Sequence, residues 1–254
     1  MIMDERKNNL FDSTSYQNLF SLVNEARNSQ PARPAKQDKQ SKPKVNDYTG
    51  KLSGHALLLG SDITQNPEII YRQRCKRLGI TTRQLQKAEK QLLNAELIKR
   101  LRIGKMVFLV PYSKLFDLLD VPCPYKRQVG LDHPFLVLIT CRLLQKTPLV
   151  ESVQTEVSLG DSSSTTDVLA TLKDGKRIAY EVTVNASNVC SNAAKLQGKG
   201  IAEIVFLCRN YNLKENVWAK LRNAGFDPDF FSKLRCTIFS SLIRKTKGPK
   251  GGRK

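Results

Sequence analysis

The pair Asp174-Gly175 constrains this chain more than any other two residues. Gly reaches positive φ without steric cost and Asp tolerates it, which is what a tight hairpin turn requires. Asp167 to Leu172 on one side and Ile178 to Val184 on the other are apolar enough to be strands. A short turn forces them to pair antiparallel. Val150 to Leu159 alternates in strand fashion ahead of this hairpin, and Glu203 to Cys208 supplies a fourth strand. Phe135 to Leu144, Asn188 to Gln197 and Leu213 to Ala224 read as helices, the last ended by Gly225. The predicted order over residues 131–240 is αβββαβα, an α+β or α/β arrangement.

A second pattern precedes it, over residues 51–120. Pro67, with Asn66 as a cap, predicts a helix reaching about Leu78. Leu78-Gly79-Ile80 is a turn. Thr81 is a natural N-cap for a helix from Thr82 to about Asn94, whose Leu85, Ala88, Leu92 and Leu93 form an apolar stripe. Leu97 to Leu101 and Met106 to Val110 read as short strands joined at Gly104-Lys105. Residues 121–130, opening Val121-Pro122-Cys123-Pro124-Tyr125, read as a linker between the two folded parts. Residues 1–50 read as an arm. Its stretch Asn28 to Asn46 has too few large apolar residues to offset ordering entropy, and Leu10 to Ala26 suits a short helix. Residues 241–254 read as a basic, Gly-rich, disordered tail.

Charge narrows the function. The chain carries a formal net charge of +19, from 42 Lys and Arg against 23 Asp and Glu. Such a surface attracts polyanions, of which phosphate backbones are the commonest. The sequence has no apolar run long enough to span a bilayer, and Met1 to Asn9 does not resemble a secretory signal. A cytoplasmic protein without a membrane partner is therefore expected. The six cysteines are scattered, with no Cys-x-x-Cys pair, and only two histidines accompany them, which argues against a zinc finger, and reduced thiols are expected. His133, just before Pro134, reads as a structural residue at a helix start.

Acids are placed suggestively. Asp167 opens the second strand, and Glu181 follows fourteen residues later in the third. If the hairpin pairs in register, the two carboxylates converge at one edge of the sheet. Two such groups make a hard-oxygen site for Mg²⁺ or Mn²⁺, with Glu156 of the first strand as a third ligand. Such an ion polarises a phosphodiester and activates water. The bland alternative is that Asp167 caps a strand after the turn Ser162 to Thr166, that Glu156 is an exposed carboxylate of an alternating strand, and that Glu181 is an ordinary solvent-facing strand residue.

The residues Leu78 to Pro111 (LGITTRQLQKAEKQLLNAELIKRLRIGKMVFLVP) resemble the recognition-helix-and-wing half of the winged-helix family. That resemblance implies that the helix from Thr82 enters a major groove of duplex DNA. Arg83, Gln84, Lys87 and Lys90 would face the groove, and Lys99, Arg100, Arg102 and Lys105 would line the wing. Arg72, Arg74, Lys76 and Arg77 add charge on the preceding helix. From Thr81 to Lys105, seven basic residues face only Glu89 and Glu96, an excess that suits phosphate contact. Aromatic residues are sparse in this stretch, so duplex rather than single-stranded DNA is the expected ligand.

The second part resembles the PD-(D/E)XK, or restriction-endonuclease-like, superfamily, whose core is αβββαβ. The matching residues are Thr166-Asp167 and Glu181-Val182-Thr183. The resemblance implies a metal-dependent endonuclease in which Asp167, Glu181 and position 183 are catalytic. Here Thr183 stands where the family has Lys, and Thr cannot supply that charge. Lys195, on the following helix, is the replacement candidate, with Asn192 one turn earlier as a contact to phosphate oxygen. The stretch DVLATLKDGKRIAYEVTVNASNVCSNAAKLQGKG is also similar to C-terminal regions of ATPases and DNA-binding proteins of bacterial mobile elements. A DNA-binding plasmid or mobile-element protein is thus implied. Two alternatives remain: a non-catalytic regulator of transcription or replication, and a module that recruits an ATPase or recombinase. A homodimer is a further expectation of the winged-helix likeness.

Overall fold

The computed structural model describes residues 52–125, 130–160 and 165–246, all within one unit, Lys44–Lys254. The expected arm at residues 1–50 with its helix, the last residues of the basic tail (247–254), part of the expected linker (126–129) and residues 161–164 lie outside the described residues.

Helix α1 is Gly54–Gln65, capped by Ser53, whose Oγ accepts from the Ala56 N–H at 3.3 Å. Its buried Ala56, Leu59 and Ile63 share one face. Helix α2, Tyr71–Leu78, starts later than Pro67, contrary to expectation. Asn66 ends α1 instead, donating its N–H to the Asp62 carbonyl, and the residues up to Ile70 turn the chain. Gly79 closes α2 at φ 64°, a conformation costly for any residue with a Cβ. Helix α3, Thr82–Asn94, starts with a full capping box between Thr81 and Gln84. Strands β1 (Ile98–Ile103) and β2 (Met106–Pro111) pair antiparallel from Ile98↔Pro111 to Ile103↔Met106. A short helix that the sequence reading lacked, α4 (Ser113–Leu118), follows.

Helix α5, Asp132–Gln145, leads into the larger sheet. Its strands are β3 (Val150–Ser158), β4 (Thr165–Leu172), β5 (Arg177–Thr183), β6 (Glu203–Cys208) and β7 (Leu234–Ile238), in that spatial order. β4 pairs antiparallel with both β3 and β5, whereas β6 and β7 add parallel to β5. Parallel neighbours need crossovers. These contain α6 (Val189–Ala194) between β5 and β6, and α7 (Tyr211–Asn223) and α8 (Pro228–Phe231) between β6 and β7. Helix α9, Phe239–Thr246, ends the described chain. The class is mixed α+β with a five-stranded mixed sheet, and the element order from α5 to α7 is the one the sequence predicts.

Three departures matter. α8, β7 and α9 were not foreseen. Residues 241–246 belong to α9 rather than to a disordered tail, because Phe239, Leu242 and Ile243 are buried. Nor does the segment from Val121 separate two domains. Leu101, Phe108, Val110 and Phe116 share one hydrophobic cluster with Phe135, Ile139, Val168, Leu207 and Phe239. Tyr125 is buried in that cluster, edge-on to Phe116 at 5.7 Å between ring centroids. The β1–β2 hairpin and the sheet thus share a core. Among the described residues no helix is long and apolar enough to cross a membrane.

Candidate functional site

The β4–β5 ladder runs from Thr171↔Arg177 to Val168↔Tyr180. One step further along the same register sets Asp167 opposite Glu181. The convergence expected from Asp174-Gly175 therefore occurs, because a tight turn fixes the register. Asp167 Oδ2 accepts the Val182 N–H at 2.8 Å and lies 3.1 Å from His133 Nε2. Glu181 is 1% exposed, and neither of its carboxylate oxygens receives a hydrogen bond from the described residues. Its ion-pair partner is Lys195, just past the end of α6, with Nζ 3.5 Å from Oε2.

A carboxylate removed from water and left without hydrogen bonds favours its neutral form. Burial, reinforced by the neighbouring Asp167 charge, pushes the Glu181 carboxyl up to about 7 from an ordinary 4.5, although Lys195 pulls the other way. His133 is also raised above its ordinary 6.5, chiefly by its hydrogen bond to Asp167. A buried carboxylate facing a second carboxylate, with only a loose ion pair beside it, suits a divalent cation. Glu156 does not extend this pair into a three-ligand cage. It is exposed, at φ 52° in β3, between the pairs Thr155↔Val168 and Val157↔Thr166. Among the described residues no three His, Cys, Asp or Glu side chains are grouped to hold an ion.

The other expected residues divide. The Thr183 hydroxyl donates to the Glu181 carbonyl at 3.2 Å, so it serves its own strand. Asn192 is half-buried on α6, where its N–H donates to the Asn188 carbonyl at 2.8 Å. Arg83, Lys87 and Lys90 are exposed on α3, opposite the buried Leu85, Ala88 and Leu92. Gln84 is exposed too, but its Oε1 accepts from the Thr81 N–H at 2.8 Å. Arg100 is clamped to the buried Glu89 through Nε and Nη2 at 2.6 and 2.7 Å. That bidentate pair fastens β1 to α3. Arg102 and Lys105 are exposed. Lys99 bridges to Asp132 at 2.6 Å. On α2, Arg74 is buried against Asp62, and Arg77 Nε reaches the same carboxylate at 2.6 Å. Their charge holds α2 to α1 instead of facing solvent.

Two residues were missed. His133 enters the acidic pair from α5, and only its position just before Pro134 was legible. Arg209, following β6, comes within 3.5 Å of Asp132 and lines a groove of about 510 Å³ with Lys99, Arg100, Arg102 and Asn210. Comparison of the chain with protein-family models, with curated proteins and with solved structures finds no match.

Proposed function

We propose that the chain binds duplex DNA through a winged helix formed by α1–α3 and β1–β2, and cleaves phosphodiester bonds at a restriction-endonuclease-like site. The observation that carries the reading is the buried Glu181 carboxylate, whose oxygens accept no well-formed hydrogen bond from the described residues, opposite Asp167 and 3.5 Å from the Lys195 ammonium. A fold has little reason to bury such a group unless something compensates its charge.

Asp167 and Glu181 would hold Mg²⁺ or Mn²⁺. Such an ion supplies Lewis-acid polarisation of the phosphodiester and makes water a better nucleophile. The Val182 N–H and His133 fix one oxygen of Asp167, so that the carboxylate is oriented in advance. Lys195, not Thr183, supplies positive charge beside Glu181, where it can meet charge developing on phosphate. Arg83, Lys87 and Lys90 on α3 hold the duplex, with phosphate contact dominating affinity.

The test is cleavage of supercoiled plasmid with Mg²⁺ or Mn²⁺ by the wild type, Asp167→Ala and Glu181→Ala. Loss in both variants supports the site; cleavage that survives in both rejects it. A second reading, a non-catalytic DNA-binding regulator, is favoured by one observation: Thr183 occupies the motif's lysine position and turns its hydroxyl to its own backbone. Sequence-specific duplex binding, with no cleavage by the wild type under either metal, selects that reading.

A further inference from the structure

The groove beside the hairpin belongs to neither half alone. Its walls are β1, through Lys99, Arg100 and Arg102, and the residues after β6, Arg209 and Asn210, with Asp132 between them. Asp132 pairs with both Lys99 and Arg209, at 2.6 and 3.5 Å, and Arg100 is held by Glu89. Four cations thus meet two carboxylates, and the excess is positive. Asn210 Oδ1 already accepts the Leu213 N–H at 2.9 Å, so the start of α7 is capped from within. The next residue, Tyr211, is 62% exposed, one of two large apolar side chains so exposed among the described residues. Lys214 Nζ lies 5.2 Å from its ring centroid.

Two residues of the groove are close along the chain to the acidic pair. Asp132 lines it, and His133, the following residue, contacts Asp167. Cys208 pairs with Thr183, two residues beyond Glu181, and Arg209 is next in the chain. By strand spacing and rise, the path from Arg209 to Glu181 is on the order of 10 Å.

Resting on the DNA reading above, we propose that this groove holds an unpaired stretch of a single nucleic-acid strand and leads it to Asp167 and Glu181. Arg102 and Arg209 meet its phosphates, and Tyr211, next in the chain to the groove-lining Asn210, stacks on a base. Cationic grooves edged by aromatic rings bind single strands because every base has a π-face. A duplex has its bases already stacked and offers Tyr211 no free base face. The ligand is therefore DNA with an unpaired segment, and the duplex portion lies on α3.

A labelled oligothymidylate of about ten nucleotides and a duplex of equal length are titrated against the full chain over a range of salt. Arg102→Ala and Arg209→Ala should each weaken oligothymidylate binding and lower the log–log salt slope by about 0.7, the loss of one single-strand phosphate contact. Tyr211→Ala should weaken it between about five-fold and a hundred-fold, as for one lost base stack. Asp132→Asn should tighten it by removing an opposing charge. Lys87→Ala should weaken duplex binding and leave oligothymidylate unchanged. Arg102 and Tyr211 are exposed, so their variants keep the fold, which thermal melting verifies. Unchanged oligothymidylate affinity in Arg102→Ala and Tyr211→Ala overturns the groove. Duplex binding with no oligothymidylate binding also overturns the groove alone. Retention of neither probe at low salt overturns the DNA reading with it.

Discussion

His133 Nε2, in the first turn of α5, lies 3.1 Å from Asp167 Oδ2 at the start of β4. The same oxygen accepts the Val182 N–H of β5 at 2.8 Å. A helix and two strands thereby agree on where one carboxylate points. Rotation of Asp167 would break both contacts, and His133 would lose the hydrogen bond that raises its proton affinity.

This arrangement makes stability depend on pH in a defined direction. Glu181 is raised from 4.5 to about 7, and His133 is raised above 6.5. Both groups hold protons more tightly folded than unfolded. Between pH 4.5 and about 7, the native chain therefore binds more protons than the unfolded chain, and stability falls as pH rises. His133 extends the fall upward from pH 6.5. The melting temperature should drop between pH 5 and pH 8, and Glu181→Gln should flatten most of that drop. An equal drop in this variant would show that Glu181 titrates normally. If a cation binds the pair, millimolar Mg²⁺ should raise the melting temperature of the wild type more at pH 8 than at pH 5.

Lys195 carries the next expectation. Lys195→Ala removes the cation nearest Glu181, so the carboxyl rises further and the variant should lose more stability at pH 8 than at pH 5. If Lys195 also stabilises charge on phosphate, cleavage should fall by about 10²–10³-fold, as for loss of one electrostatic donor. Lys195→Arg should recover part of both effects. Cleavage rates together with melting at the two pH values check this; a rate unchanged by Lys195→Ala would leave the motif's missing lysine unreplaced.

What the sequence revealed, and what it hid, follows from the range of each interaction. The β4–β5 register was legible because Asp174-Gly175 is a local turn, and it brought Asp167 to Glu181 directly. The α3 start was legible because Thr81 caps it locally; the reciprocal cap by Gln84, read as a groove contact, was not. Burial of Glu181 was not legible, since an acid in a strand looks solvent-facing until α6 and its Lys195 pack nearby. His133 was read only as a structural residue at a helix start, because its partner is thirty-four residues away. Arg100 seemed a free wing cation because Glu89 was counted as a surface acid, although it falls on the stripe of Leu85, Ala88 and Leu92. The short apolar sets of α9 and β7 lacked the length that makes periodicity readable, and Pro122 and Pro124 suggested a linker where Tyr125 is core.

Arg100 and Arg102, neighbours of like charge on β1, should behave oppositely on substitution. Arg100→Ala leaves the buried Glu89 carboxylate without its bidentate partner. It should cost about 2 kcal/mol of stability, in the range for hydrogen bonds to charged groups. Arg102→Ala touches no such pair and should stay within about 0.5 kcal/mol of the wild type, while weakening nucleic-acid binding. Denaturant melts and a binding titration on the same two variants separate the roles. Equal stability in both would mean that the Glu89 clamp contributes nothing.

The shared core bears on how the chain unfolds. Phe108 of the hairpin lies against Phe135 of α5, 6.3 Å between ring centroids in an edge-on arrangement. Phe239 of α9 belongs to the same cluster. Truncating any of these large side chains removes contacts from both halves at once, because the cavity cannot be filled by one half alone. Phe108→Ala should therefore lower stability by about 3–5 kcal/mol and shift the melting of the hairpin and the sheet together. Two domains on a free linker would instead melt separately, the substitution moving only the first. Amide hydrogen exchange of Leu101 in β1 and Phe206 in β6, followed in the variant, distinguishes the cases. Faster exchange at both sites fits one continuous core, and protection retained at Phe206 alone rejects it.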